Sequence, residues 1–337
     1  MVDITNTNNV LDQAIRWMDD GRQIALATVI NTWGSSPRPV GSQLAIDDSG
    51  AFVGSVSGGC IEGSVIGEAL ATITDGENRL LDFGVTNEQA WEVGLACGGD
   101  VRILVECIKE KETLHRLTQN RPIASVTNLT SGKRGYVTPM DATGDLALSV
   151  ETLQNARSAL LHDRSKIYNS EGSEVFIQVF NPPLRCAIIG AVHISQALTP
   201  MAQIAGFDVT VIDPRGSFAT ENRFPNVKIK EEWPDDALRT FNPDSRTSVV
   251  TLTHDPKLDD PALEVALKTD AFYIGCLGSR RTHASRLERL SLNGFNETDF
   301  ARIHAPIGLD LGATSPEEIA VTILAEMIAV KHGKMDP

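Results

Sequence analysis

The stretch Phe52-Val-Gly-Ser-Val-Ser-Gly-Gly-Cys-Ile-Glu-Gly63 sets one cysteine, Cys60, in a glycine-rich loop between a strand-like and a helix-like run. Glycines there expose backbone N–H groups and let a ligand approach closely, while the thiol supplies a soft metal donor or a nucleophile. Leu95-Ala-Cys-Gly-Gly-Asp100 repeats the combination. Gly58, Gly59, Cys60 and Glu62 therefore form one candidate binding site, and Cys97, Gly98 and Gly99 a second. The other reading of both cysteines is a small buried residue in a tight turn, because free cysteine is commonly buried. At a helix start the unpaired N–H groups favour thiolate, which makes Cys60 rather than Cys97 the more reactive candidate; Glu62 opposes this if it faces the sulfur.

Cys107, Cys186 and Cys276 lie in apolar strand-like runs, where a buried packing role is expected. The five cysteines are widely spaced and contain no C-x-x-C pair, which argues against a disulfide framework and against a zinc ribbon. The sharpest basic feature is Leu277-Gly-Ser-Arg-Arg-Thr282. Gly278 and Ser279 at a strand's end, followed by Arg280 and Arg281 at a helix start, suit an anion such as a phosphate. Ordinary surface pairing of these arginines with Glu288 or its neighbours is the alternative. Asp310, in a glycine-flanked turn, is as readily structural as functional.

The elements that must hold these residues fall into two groups. Leu11, Ala14, Ile15 and Met18 recur at helical spacing before Gly21. Strands are expected at 24–31, 43–47, 52–55, 79–83, 101–108, 123–129 and 174–180, with a helix at 62–74. Asn181-Pro-Pro183 interrupts regular structure and divides the chain into a domain of residues 1–180 and a domain of residues 184–337. After it come an apolar strand at 184–190, a helix at 194–205 and a strand at 207–213, a βαβ unit. Strands at 248–252 and 271–276, helices at 261–267 and 316–332, and a helix opening near 280 continue the alternation. The expected fold class is α/β: an N-terminal α+β domain, then a C-terminal Rossmann-like domain with a doubly wound parallel sheet.

Asp213 lies 23 residues after Gly190, near the place of the acid that binds a ribose hydroxyl in a Rossmann unit. The phosphate fingerprint, however, reads Gly190-Ala-Val-His-Ile-Ser195. It keeps the first glycine and brings the branched side chain of Val192 to where a pyrophosphate meets bare backbone. His193 is either a polar contact in the crevice or a helix-start residue facing solvent. NAD(P) is thus not the expected cofactor.

The chain has 337 residues, 42% of them hydrophobic, enough for two cored domains. Its formal net charge of −14 would repel nucleic acid and anionic membrane surfaces, so neither is an expected partner. Neither a basic leader at the start nor an apolar run of spanning length is apparent, and the expected compartment is the cytoplasm.

Gly58-Gly-Cys-Ile-Glu-Gly63, Ala96-Cys-Gly-Gly99, Val211-Ile-Asp-Pro-Arg215, Tyr273-Ile-Gly-Cys-Leu-Gly-Ser-Arg-Arg281 and Pro306-Ile-Gly-Leu-Asp-Leu-Gly-Ala313 together resemble the XdhC/CoxI family, the xanthine dehydrogenase accessory factors. The match runs in order over nearly the whole chain. The resemblance implies a chaperone that binds and shields the molybdenum cofactor (molybdopterin), assists its sulfuration by a cysteine desulfurase, and delivers it to a molybdenum hydroxylase apoenzyme of the xanthine dehydrogenase type. It implies an accessory factor rather than a catalyst, and a homodimer. Cys60, and Cys97 with it, would then sit near the molybdenum or its exchangeable sulfur, with the loop glycines on the pterin and Gly278 to Arg281 on the phosphate. Where the family usually has Gly-x-Gly-His, this chain has Gly190-Ala-Val-His193. An NAD(P)-dependent oxidoreductase, with His193 as acid or base and Asp213 on the ribose, is the alternative function.

Overall fold

A computed structural model of the chain describes residues 7–34, 38–59, 61–84, 99–119, 121–170 and 172–335. The chain forms two compact units, Met1–Pro182 and Pro183–Pro337.

The first unit is built on two antiparallel sheets. In one, β1 (Ile24–Gly34) is central, flanked by β2 (Gln43–Asp47) with β3 (Phe52–Gly54) outside it. On the other side β4 (Arg79–Gly84) is the edge, and β5 (Gly99–Ile108) lies between it and β1. Successive side chains of a strand face opposite ways. Ile24 and Leu26 accordingly pack with Leu11 and Ala14 of the helix Thr7–Asp19, while Ala25, Ala27 and Val29 pack with Val65 and Ala69 of the helix Glu62–Asp75. With a helix over each face, the first seven residues of β1 are all buried, which is why all but Thr28 are apolar.

The second sheet contains β6 (Ile123–Asn128), β7 (Arg134–Val137), β8 (Ala142–Gly144), β9 (Lys166–Ser170) and β10 (Ser173–Phe180), in the order β8–β7–β6–β10–β9. The helix Val150–His162 covers it through Ala156, Ala159 and Leu160. Sequence reading overlooked this helix and the helix Lys111–Gln119. The latter carries only Leu114 and Leu117 as buried residues amid charged ones, too thin an apolar stripe to register.

The second unit is a six-stranded parallel sheet of β11 (Leu184–Ile189), β12 (Phe207–Ile212), β13 (Lys228–Lys230), β14 (Thr247–Thr251), β15 (Tyr273–Cys276) and β16 (Ile303–His304). Its order, β13–β12–β11–β14–β15–β16, is the 3-2-1-4-5-6 arrangement of a Rossmann fold, with the topological switch point between β11 and β14. Cys186, Ile188, Val209 and Val211 face the helices His193–Ile204 and Pro316–Lys331. Ala187, Ile189, Ile212 and Val249 face the opposite layer, which includes the helices Pro234–Phe241, Pro256–Ala266 and Arg280–Leu292.

One boundary differs from expectation. The helix taken to begin at Pro261 begins at Pro256, where Asp255 caps it by accepting from the Lys257 N–H at 2.9 Å. Proline favours the first helical position, and of the two prolines the earlier one occupies it.

Candidate functional site

The glycine-rich loop of the first unit winds around Glu62. Its Oε1 accepts from the amides of Val56 (3.2 Å), Ser57 (2.9 Å) and Gly58 (3.1 Å) and from the Ser55 hydroxyl (2.8 Å). Its Oε2 accepts from the Gly59 amide at 2.9 Å and from the Ser57 hydroxyl. Gly58 and Gly59, with φ of 83° and 119°, let four successive amides converge in this way. Glu62 is buried. Burial by itself would raise its pKa; the hydroxyl and amide of Ser57 and the hydroxyl of Ser55 outweigh it and hold the carboxyl down at about 2.

This arrangement corrects one expectation. The amides of Gly58 and Gly59 were to meet a ligand; they donate to the chain's own carboxylate instead. Cys60, Cys97 and Gly98 lie outside the described residues. Gly99 opens β5 opposite Gly34 of β1.

The three remaining cysteines part company. Cys186 and Cys276 are fully buried, and burial pushes both thiols up to about 12, in keeping with packing roles. Cys107, expected to be buried as well, is only half-buried. It lines a cleft of about 700 Å³ at the far end of β5 from Gly99, with Lys109, Arg116, Tyr136 and the ion-paired Glu106 and Arg134.

In the second unit the sequence-read residues gather at the carboxyl ends of the strands, where open α/β sheets bind ligands. The Gly190 amide donates to the Ile212 carbonyl at 2.9 Å. Its φ is 105°, and a Cβ there would stand 2.5 Å from the Thr253 methyl. The first fingerprint glycine is therefore demanded by packing between β11 and β14, with or without a nucleotide. Val192 precedes the helix His193–Ile204 without a side-chain cap, and His193 is exposed at its start.

Asp213 is fully buried and already committed. It accepts from the Ala191 amide (2.8 Å), the Arg215 amide (2.9 Å) and the Arg215 guanidinium at Nε (2.9 Å) and Nη2 (2.7 Å). Burial alone would raise the Asp213 pKa, but these donors bring it below the usual carboxylate range. The expected ribose acid is thus closed off by Arg215, which lies over the Phe218 ring, 4.6 Å from its centroid. Arg215 stands at the end of the motif Val211–Arg215, and nothing in that sequence marks it as the partner of Asp213.

At the end of β15, Ser279 caps the helix Arg280–Leu292, accepting from the Thr282 N–H at 3.2 Å. Arg280 and Arg281 are exposed and form no ion pair among the described residues, so the pairing with Glu288 is not made. The Ile307 amide donates to the Cys276 carbonyl, tying the start of the loop that carries Asp310 to the end of β15. That loop is anchored from below. Glu326 accepts from the Gly308 amide at 2.8 Å and from the Tyr273 hydroxyl, and Tyr273 stacks on His304 with centroids 4.7 Å apart. Sequence reading missed this anchor. Its signal was an acid, Glu326, amid the apolar residues of the last helix.

Among the described residues no three His, Cys, Asp or Glu side chains gather as a metal-binding group, and no helix is long and apolar enough to cross a membrane.

Fold and motifs together define a two-unit protein whose C-terminal unit is Rossmann-like. The sequence model of the XdhC and CoxI family matches residues 17–84, and that of the XdhC Rossmann domain matches residues 186–327. The chain belongs to the XdhC/CoxI family. It is 27% identical over 328 residues to the molybdenum cofactor insertion chaperone PaoD of Escherichia coli (strain K12), spanning 97% of this chain and 90% of that protein. It is 26% identical over 336 residues to a probable xanthine dehydrogenase subunit of Bacillus subtilis (strain 168), spanning 97% and 98%. The crystal structure of a xanthine dehydrogenase from Bacillus halodurans shares the fold, with a TM-score of 0.77 over 96% of each chain at 24% identity.

Proposed function

We propose that this protein is a molybdenum cofactor chaperone: it holds the cofactor as cargo, shields it, and inserts it into a molybdenum hydroxylase apoenzyme of the xanthine dehydrogenase type. The observation that carries this reading is the likeness to PaoD, which runs through both units rather than through the Rossmann domain alone. In the same proposal a cysteine desulfurase is the partner in sulfuration, the working form is a homodimer, and the compartment is the cytoplasm.

The residues divide the cargo's chemistry between them. Gly278, Ser279, Arg280 and Arg281 suit the cargo's phosphate, because two unpaired guanidinium groups at a helix start are a strong anion site in an acidic chain. Arg286, buried further along the same helix, is balanced by Asp259 and Asp260 and leaves the anion to Arg280 and Arg281. Cys60 supplies the soft donor to the molybdenum and Cys97 assists. Glu62 serves by shaping the loop that leads into Cys60, its carboxylate being wholly engaged by that loop.

The oxidoreductase reading is weaker. Val192 crowds the pyrophosphate position, and Asp213 is turned toward Arg215 rather than toward a ribose. The test is to purify the protein from cells that make the cofactor and identify the released pterin by mass spectrometry, alongside calorimetric titration with NAD(H). Bound pterin without NAD(H) affinity is expected. Low-micromolar NAD(H) binding with no pterin would reverse the ranking.

A further inference from the structure

The helix Arg280–Leu292 turns Leu290 into the core, and one turn earlier the corresponding place is held by Arg286, only 2% exposed. A guanidinium is always charged, so its neighbours must balance it. Asp259 and Asp260, on the helix Pro256–Ala266, stand 4.0 Å from its Nη2 and Nε. One close hydrogen bond directs the group: Nη2 donates at 3.0 Å to the carbonyl of Leu277, the residue before Gly278. Asp259 is fixed in turn, its Oδ1 accepting from the Thr253 hydroxyl at 2.7 Å. Thr253 is the residue whose methyl excludes any side chain at position 190.

A continuous chain of contacts thus runs from the Gly190 turn through Thr253, Asp259 and Arg286 to Leu277. It joins the carboxyl ends of β11, β14 and β15. We infer that Arg286 is the positioning residue of the Gly278–Arg281 loop, setting the direction in which Arg280 and Arg281 present their charges and tying that loop to the Gly190 turn. This rests on the reading of the loop as the anion site. Arg289 makes an instructive contrast. It grips Asp260 through both its Nε and Nη2, yet it is more than a third exposed and makes no bond to the loop.

The experiment uses the full chain and two readouts, hydrogen–deuterium exchange of the segment 277–283 and calorimetric titration with pyrophosphate. Arg286→Met is expected to raise exchange in that segment by about tenfold and to weaken pyrophosphate binding by about tenfold, as loss of one charge-assisted bond implies. Arg286→Lys should recover part of both effects, and Arg289→Met should change neither by more than about twofold. If Arg286→Met does not fold, Asp259→Asn with Arg286→Met removes the buried acid and base together and exposes the same loop to the same readouts. Unchanged exchange in segment 277–283 overturns the inference. Raised exchange in a protein whose wild type binds no pyrophosphate upholds the positioning role and removes the anion reading.

Discussion

Asp213 and Arg215 close on each other at the end of β12, a buried carboxylate bridged by the Nε and Nη2 of an arginine two residues on. The pair converts the acid that a dinucleotide enzyme would offer to a ribose into a brace for the Ala191 turn. Arg215→Ala leaves that carboxylate buried with two amides alone. We expect a loss of about 2 kcal/mol in urea unfolding, at the low side for a broken buried pair because Arg215 is partly exposed, and no gain in NAD(H) affinity. Micromolar NAD(H) binding by the variant would show that the ribose site is intact beneath the arginine.

Glu62 predicts an acid-sensitive loop. Its folded pKa, about 2, lies below the value of a free carboxyl, so the stability it contributes is fully present above about pH 4.5 and is lost as pH falls toward 2. Glu62→Ala should cost about 3 kcal/mol, since it strips the acceptor from buried amides and hydroxyls. Thermal unfolding of wild type and variant at pH 7 and pH 3 checks both. The gap between them should shrink at the lower pH, and a constant gap would mean that the carboxylate charge is irrelevant.

Arg280→Ala with Arg281→Ala should leave the fold intact, because neither guanidinium is engaged in an ion pair among the described residues. Affinity for released molybdenum cofactor, followed by pterin fluorescence, should fall by about one to two decades per lost charge-assisted bond to phosphate. Unchanged affinity would return the two arginines to ordinary surface charge.

Thiol labelling separates the cysteines. Cys186 and Cys276, with thiols pushed up to about 12 by burial, should label at pH 8 only after denaturation. Cys107, half-buried at the cleft and also raised by burial, should label in the native state but slowly. Rapid native labelling of Cys276 would imply that the end of β15 opens.

Much of this was legible in the sequence where a residue pattern and its environment coincide. The doubly wound parallel sheet was expected from the apolar runs of β11, β12, β14 and β15 alternating with helical ones, whereas β13 and β16, only three and two residues long, are too short to register. What stayed hidden was the orientation of polar side chains. Nothing in Gly58-Gly-Cys-Ile-Glu-Gly63 tells whether Glu62 points out to a ligand or back into its own loop, since that is settled by four amides meeting in space. Asp213 reads as a ribose acid until Arg215 is seen to fold over it. Arg286 reads as one more arginine in a charged helix, and only its spacing of four from Leu290 betrays a core position.

The loop wound on Glu62 also bears on how a carrier lets go. Its amides and hydroxyls are ordered by a charge that belongs to the protein, so the conformational entropy of residues 55–59 is lost when the first unit folds and not again at each loading. A cargo arriving beside this loop meets a surface that is already rigid, and its departure frees no slack there. Loading and release then differ little in the order they impose on residues 55–59, a thermodynamic symmetry that suits the proposed task of passing a ligand on.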